Sequence, residues 1–224
     1  MKHKLLIAVS LCMLSVLAAC GETTDMKTTD SKPIIVAHRG GASLAPENSL
    51  ACIAKGIETG AQMIEIDVHL TRDNQIVVCH DATVNRTTNG VGRIEELTFE
   101  QIRSLRLLDK DGQSTDQLIP TLEEVLLLTK DKCVLLIEIK KETKNQYIGI
   151  EDSCLRVVDR LSMQQQVVFQ SFNDDVLMRL HQLRPTLRLE KLLVMKFGKL
   201  IFDTGFNSFS YDKSQSNCPL SWFW

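Results

Sequence analysis

Short apolar runs closed by glycine or polar residues alternate with stretches of helical period along most of the chain. Residues 34–37 are the first such run and predict a buried strand, ended by a turn at Gly40 and Gly41. Residues 47–59 place Leu50, Ile53, Ala54 and Ile57 on one face, with Pro46 near the start, and predict a helix that Gly60 stops. Strands are predicted over 63–68 and 75–79, and the short link through Asp73 and Asn74 makes them neighbours. Thr98 with Gln101 reads as a helix cap ahead of Ile102 and Leu105. Pro120 and Thr121 open a helix carrying Leu122, Val125, Leu126 and Leu127. Beyond it the pattern predicts strands over 134–139, 167–169 and 191–195, with helices over 151–161 and 173–183. Strands that alternate with helices in this way predict an α/β fold, a parallel sheet covered by helices, either open or closed into a barrel.

The first twenty residues are excluded from that fold. Lys2, His3 and Lys4 precede an apolar stretch over 5–19, which is short for a bilayer and ends in Leu17-Ala18-Ala19-Cys20. This ending resembles the bacterial lipoprotein signal, which implies lipidation at Cys20 and an exported protein anchored to a membrane. The polar residues 21–32 then read as a tether to the folded body. A chain of 224 residues, 44% hydrophobic and 24% charged, suits one globular domain, expected here over 33–214. The formal net charge of -2 offers no electrostatic drive toward nucleic acid. Of the seven cysteines, Cys12 and Cys20 fall in the signal, and Cys52, Cys79 and Cys133 lie in apolar contexts, where the thiol acts as a small hydrophobe. With no Cys-x-x-Cys spacing, neither a cysteine metal site nor a disulfide is expected.

The chemistry concentrates at strand ends. Glu65 and Asp67, two apart, share one face of their strand while Ile64, Ile66 and Val68 share the other. Glu138 and Lys140 repeat the arrangement at the end of the fourth strand. A single strand carboxylate is most simply a surface or ion-paired residue, but three at two strand ends suit a hard divalent cation, Mg²⁺ or Ca²⁺. His38 and His80 each follow an apolar run directly and form a candidate acid/base pair, because imidazole titrates near neutrality. Arg39 and Lys140 either bring positive charge to a phosphate or simply pair with the nearby carboxylates. His69 is expected to face away from Asp67, toward solvent or in a structural role. Neither a Gly-x-Ser-x-Gly elbow nor a Walker-type glycine loop occurs, which weighs against covalent serine catalysis and nucleoside triphosphate hydrolysis.

Read in order, "AHRGG", "PENSLACIAKGIETGAQMIEIDVHLTRDNQIVVCHDATVNRTTNGVGRI", "IPTLEEVL", "LLIEIK" and "FQSF" resemble the bacterial glycerophosphodiester phosphodiesterase family. The resemblance runs from Ile34 to the region of Ser214. It implies a TIM (β/α)8-type barrel and a divalent metal held by Glu65, Asp67 and Glu138. It further implies acid/base roles for His38 and His80, phosphate or substrate contacts from Arg39 and Lys140, and support of the site by Glu47. The implied reaction converts a small-molecule glycerophosphodiester, by attack of the glycerol's own hydroxyl, to glycerol 3-phosphate and an alcohol such as choline or ethanolamine. Two features depart from the family. Six strands are recognisable where the barrel needs eight, so an incomplete barrel is expected. The late Trp-Thr and Gly-Asp segments of the family are replaced by "SQSNCPLSWFW", so residues 215–224 read as an atypical tail, the mark of a truncation or shifted reading frame. Two further expectations stand beside the diesterase: a non-catalytic lipoprotein that keeps the ligand constellation, and a phospholipase D-like phosphodiesterase.

Overall fold

A computed structural model describes residues 33–140 and 147–192. The signal, Cys20, the tether, residues 193–195 of the sixth predicted strand and the tail lie outside the described residues. Strand β1 (Val36–Ala37) runs into a 3-10 turn, His38–Gly40. Helix α1 (Leu50–Glu58) starts later than the apolar period predicts, because Ser49 caps it by accepting from the Cys52 N–H, 3.0 Å. Residues 46–48 instead form a turn in which Asn48 is left-handed, φ 60°.

Strand β2 (Met63–Leu70) is buried throughout and pairs in parallel with β1 and with β4 (Val134–Ile139). Strand β3 (Ile76–Val78) is indeed β2's neighbour, but it runs antiparallel to it. A turn as short as 71–75 permits only that return, since a parallel crossover needs a dozen residues or more. Helices α2 (Phe99–Arg103) and α3 (Leu122–Thr129) open on capping boxes at Thr98/Gln101 and Thr121/Glu124. Beyond β4, α4 (Ile150–Arg160), β5 (Val167–Ser171) and α5 (Asp174–Leu183) follow the predicted alternation. Strand β6 (Arg188–Lys191) lies earlier than 191–195, because Leu189, turned toward the helix-side core, fixes its register.

The sheet order is β1-β2-β4-β5-β6, all parallel, with β3 added on β2. This is the sheet of a (β/α)8-type barrel, and among the described residues it is open at β1 and β6. Period-two alternation divides the sheet into two faces. Ile64, Ile66, Val68, Leu135, Ile137, Val167 and Phe169 face the helices and form the main core. The other face carries an apolar floor of Met63, Leu136 and Val168. Two residues further along the same strands stand Glu65, Glu138 and Gln170, all buried. Among the described residues no helix is long and apolar enough to cross a membrane.

Candidate active site

At the carboxyl ends of β2 and β4, oxygen atoms of Glu65, Asp67 and Glu138 lie within 4.8 Å of one another. Their side chains share the inward face because 65 and 67 alternate together and Asp67 pairs with Glu138 in register. Burial and the Asp67 charge push Glu65 up to about 8, and burial raises Glu138 as well. The Lys140 ammonium is 2.9 Å from Asp67 Oδ1 and 2.7 Å from Glu138 Oε1, so the pairing alternative for this lysine is the arrangement found. Burial disfavours its charge, but the Asp67 and Glu138 carboxylates outweigh that and raise it. Three clustered carboxylates at adjacent strand ends offer oxygen donors alone and fit a hard divalent cation, which prefers oxygen ligands.

The β1 turn closes over this triad. Gly41 is left-handed, φ 100°, and so are Gly40 at 79° and Arg39 at 51°. A side chain at Gly56 would stand 2.5 Å from the Gly40 carbonyl oxygen, so α1 can approach the turn only with glycine there. The turn aims the Arg39 N–H at Glu65 Oε2, 2.8 Å, and leaves His38 Nε2 3.9 Å from the same oxygen. His38 is lowered by burial and then by the neighbouring Arg39 charge.

His80 joins through a chain of ion pairs. Its Nδ1 lies 2.7 Å from Asp81 Oδ1, which fixes that nitrogen as the donor to a carboxylate. Arg86 grips Asp81 at 2.7 and 3.0 Å and Glu47 at 2.8 and 2.7 Å, and Glu47 accepts from Arg39 at 3.1 Å. Burial raises Glu47, but hydrogen bonds from Arg86 and the Arg39 charge carry it below the usual carboxylate range. His38, Arg39, Glu47 and His80 are thus brought to one rim around Glu65, Asp67, Glu138 and Lys140.

Four residues at this rim escaped the sequence reading. Asn48 is buried and donates to Asp67 Oδ2, 2.9 Å. Gln170 donates to Glu65 Oε1, 3.4 Å. Asp81 and Arg86 complete the chain between the two loops. All four stand inside quoted motifs, and Asp81 follows His80 directly, but only Gln170 carries a positional signal, its strand alternation.

His69 corrects an expectation. Residues 67 and 69 are two apart, so period two puts them on one side, not opposite sides. His69 is fully buried, with Nε2 3.2 Å from the His80 carbonyl and Nδ1 2.8 Å from the Tyr147 hydroxyl. A carbonyl only accepts, so Nε2 carries the proton and Tyr147 donates to Nδ1. Burial lowers this imidazole to about 4, and its role is structural. Cys52, Cys79, Cys133 and Cys154 are buried free thiols.

Comparison with known proteins agrees with this geometry. The model of the "Glycerophosphoryl diester phosphodiesterase family" matches residues 38–199. The chain is 39% identical over 160 residues to the glycerophosphodiester phosphodiesterase of Caldanaerobacter subterraneus subsp. tengcongensis, covering 70% of this chain and 65% of that protein. It is 34% identical to the glycerophosphodiester phosphodiesterase of Bacillus altitudinis, again covering 70% and 65%. The matched segment therefore spans just under two thirds of the length of these relatives. A crystal structure of glycerophosphodiester phosphodiesterase from Agrobacterium tumefaciens superposes with TM-score 0.63 at 28% identity, covering 70% of this chain and 66% of that one. A phosphodiesterase from Oleispira antarctica, solved in complex with the product sn-glycerol-3-phosphate, superposes with TM-score 0.61 at 28% identity, covering 74% and 68%. With a family match across most of the described residues and an acidic triad ringed by two histidines at the strand tips, the chain belongs to the glycerophosphoryl diester phosphodiesterase family.

Proposed function

We propose that this chain hydrolyses glycerophosphodiesters to glycerol 3-phosphate and a free alcohol. The observation that carries the reading is the carboxylate triad of Glu65, Asp67 and Glu138 beside His38 and Arg39. A divalent cation, Mg²⁺ or Ca²⁺, held by the three carboxylates would neutralise charge at the phosphate and polarise the substrate oxygens. The protein's own groups do the rest. Lys140 and Arg39 supply positive charge for the phosphate; Arg39 Nε is buried and has no acceptor among the described residues. His38, held in its neutral form by burial and Arg39, suits removal of the proton from the attacking glycerol hydroxyl. His80 commits Nδ1 to Asp81, which leaves Nε2 as the atom that hands a proton to the departing alcohol oxygen. Attack by the glycerol hydroxyl breaks the bond to the leaving alcohol and forms a cyclic phosphate, which water then opens to glycerol 3-phosphate. Glu47 holds Arg39 and, through Arg86, the loop of His80.

The Leu-Ala-Ala-Cys signal supports a further part of the reading: an exported protein, anchored to a membrane through lipid on Cys20 and tethered by residues 21–32. The test is release of glycerol 3-phosphate from glycerophosphocholine by the detergent-solubilised chain with Mg²⁺ or Ca²⁺. Metal-dependent release that Glu65→Ala abolishes supports the assignment. Equal activity in chelator, or turnover of intact lysophospholipid or sphingomyelin in its place, refutes it.

A further inference from the structure

Among the buried polar residues, His69 fills a position where packing alone does not ask for an imidazole. It stands on the inward face of β2, two residues beyond Asp67, and is fully buried. A buried imidazole must recover its lost hydration at both nitrogens, a cost that leucine at the same place would not incur. His69 recovers it on two other segments of the chain. Nδ1 accepts from the Tyr147 hydroxyl, 2.8 Å, with the two rings edge to face, their centroids 5.6 Å apart at 82°. Nε2 donates to the His80 carbonyl, 3.2 Å. Tyr147 is itself buried and stands just ahead of α4, whose Ile150 N–H bonds its carbonyl at 3.3 Å. The imidazole therefore bridges the approach to α4 and the strand end that carries His80.

What the bridge holds is a proton-transfer residue. The pairing of β3 with β2 ends at Val78, and the Cys79 N–H still reaches the Asp67 carbonyl, 3.0 Å. One residue later, at His80, the chain leaves β2, and there a side chain of β2 takes over from its main chain. His69 fastens the His80 carbonyl, while Asp81 fastens the His80 ring through Nδ1 at 2.7 Å. Backbone and ring held separately fix where His80 Nε2 points. Proton transfer needs that atom within hydrogen-bond reach of the oxygen it protonates, and a displacement of about 1 Å costs about a hundredfold in rate. The Tyr147 hydroxyl completes the arrangement, because its bond to Nδ1 keeps the His69 proton on Nε2, facing the carbonyl. We propose that His69, its tautomer set by Tyr147, is a positioning residue for proton delivery by His80 to the departing alcohol. The proposal rests on the reading of His80 as the general acid and extends it to the bonds behind that acid. In the step it serves, the glycerol oxygen bonds to phosphorus and its proton passes to His38. The bond from phosphorus to the alcohol oxygen breaks, its electron pair stays on that oxygen, and the oxygen takes the proton from His80 Nε2.

The test compares two diesters of glycerol phosphate on the full chain with Mg²⁺ or Ca²⁺. Glycerophosphocholine loses choline only with a proton, whereas the p-nitrophenyl diester loses p-nitrophenolate without one; both first products are measured. His69→Leu should lower kcat for choline release about a hundredfold at nearly unchanged KM, and p-nitrophenolate release less than about threefold. His69→Gln keeps an N–H for the His80 carbonyl and should recover most of that loss. Tyr147→Phe removes a single hydroxyl and should show the same selectivity at about fivefold, the scale of one hydrogen bond; it also decides the matter if the leucine variant does not fold. Equal loss on both substrates, a loss confined to KM, no loss on either, or a glutamine variant no better than leucine makes His69 a brace of the fold and overturns the proposal. His80→Ala separates the proposal from the reading beneath it. A greater loss of choline release than of p-nitrophenolate release in that variant supports the acid role, and the His69 variants then decide the proposal alone. Equal loss in His80→Ala refutes the acid role, and absent turnover of both diesters by the parent refutes the proposed activity; either result takes the positioning role with it.

Discussion

Two levels of the inward face are built by the same three strands and obey opposite rules. The floor, Met63, Leu136 and Val168, is apolar and removed from water. One alternation step nearer the strand tips, Glu65, Glu138 and Gln170 are equally removed from water, yet two are carboxylates and the third has an oxygen with no partner among the described residues. The floor follows from burial alone, since apolar area withdrawn from water stabilises the fold. The tips act against the fold: carboxylates in close array repel each other and lose hydration, which is why Glu65 holds its proton up to about 8. The difference assigns stability to one level and chemistry to the other, as expected of a barrel-type sheet with its site at the carboxyl ends of the strands.

The sharpest way to separate the levels is to neutralise one carboxylate. Glu65→Gln keeps the shape and removes the charge, so glycerol 3-phosphate release should fall by about a thousandfold, the scale of losing a central electrostatic group. Unlike most losses of function, it should raise the melting temperature of the metal-free protein at pH 8. A variant that keeps activity, or one that loses activity by unfolding, would erase the contrast between tip and floor. The reverse experiment is Leu136→Ala, 1% exposed on the floor. It should cost about 2–5 kcal/mol in denaturant unfolding through the cavity left behind. Turnover per folded molecule should remain close to that of the parent.

Proton linkage sharpens the same comparison. The folded-state pKa of Glu65 is raised from 4.5 to about 8, so its protonated form belongs to the folded state. That contribution is fully present below pH 4.5 and is lost as pH rises through about 8, so the metal-free protein should weaken across this interval. A cation competes with the same proton. Its binding should tighten, and its stabilising effect grow, as pH rises toward 8, a trend that thermal unfolding with Mg²⁺ at pH 6 and at pH 8 measures directly.

How much of this was legible follows the same division. Periodicity predicted the triad's shared face, because side-chain alternation is a local property of a strand, and Thr98 and Thr121 announced their helices, because caps are local as well. The direction of β3 required the loop-length rule as well as the apolar run. The late start of α1 turned on a competition between Ser49 as a cap and a period that extended to Glu47. For His69 period two contradicts the expectation, since 67 and 69 share a face. Arg86 was beyond reach. Its partners Glu47 and Asp81 are 39 and five residues away, and nothing local distinguishes an exposed arginine that joins two loops from one that joins nothing.

That arginine provides the smallest of the expected effects and separates rim from tip. Arg86 bonds Glu47 and Asp81 together, and both carboxylates are partly solvated. Its side chain is 48% exposed, so the pairs contribute little to stability and are screened by salt. Arg86→Gln should shift unfolding by less than about 1 kcal/mol. Its effect on catalysis should be larger than its effect on the fold. Asp81 sets the ring of His80 and Glu47 sets Arg39, so loosening both should lower kcat several-fold while leaving KM nearly unchanged. A loss confined to KM would instead make Arg86 act on substrate binding, through Arg39 or directly. A loss that tracks melting temperature would make the arginine a brace with no part in positioning. Only a fall in kcat at constant stability matches an arginine that positions His80 through Asp81 and Arg39 through Glu47 without itself touching the triad.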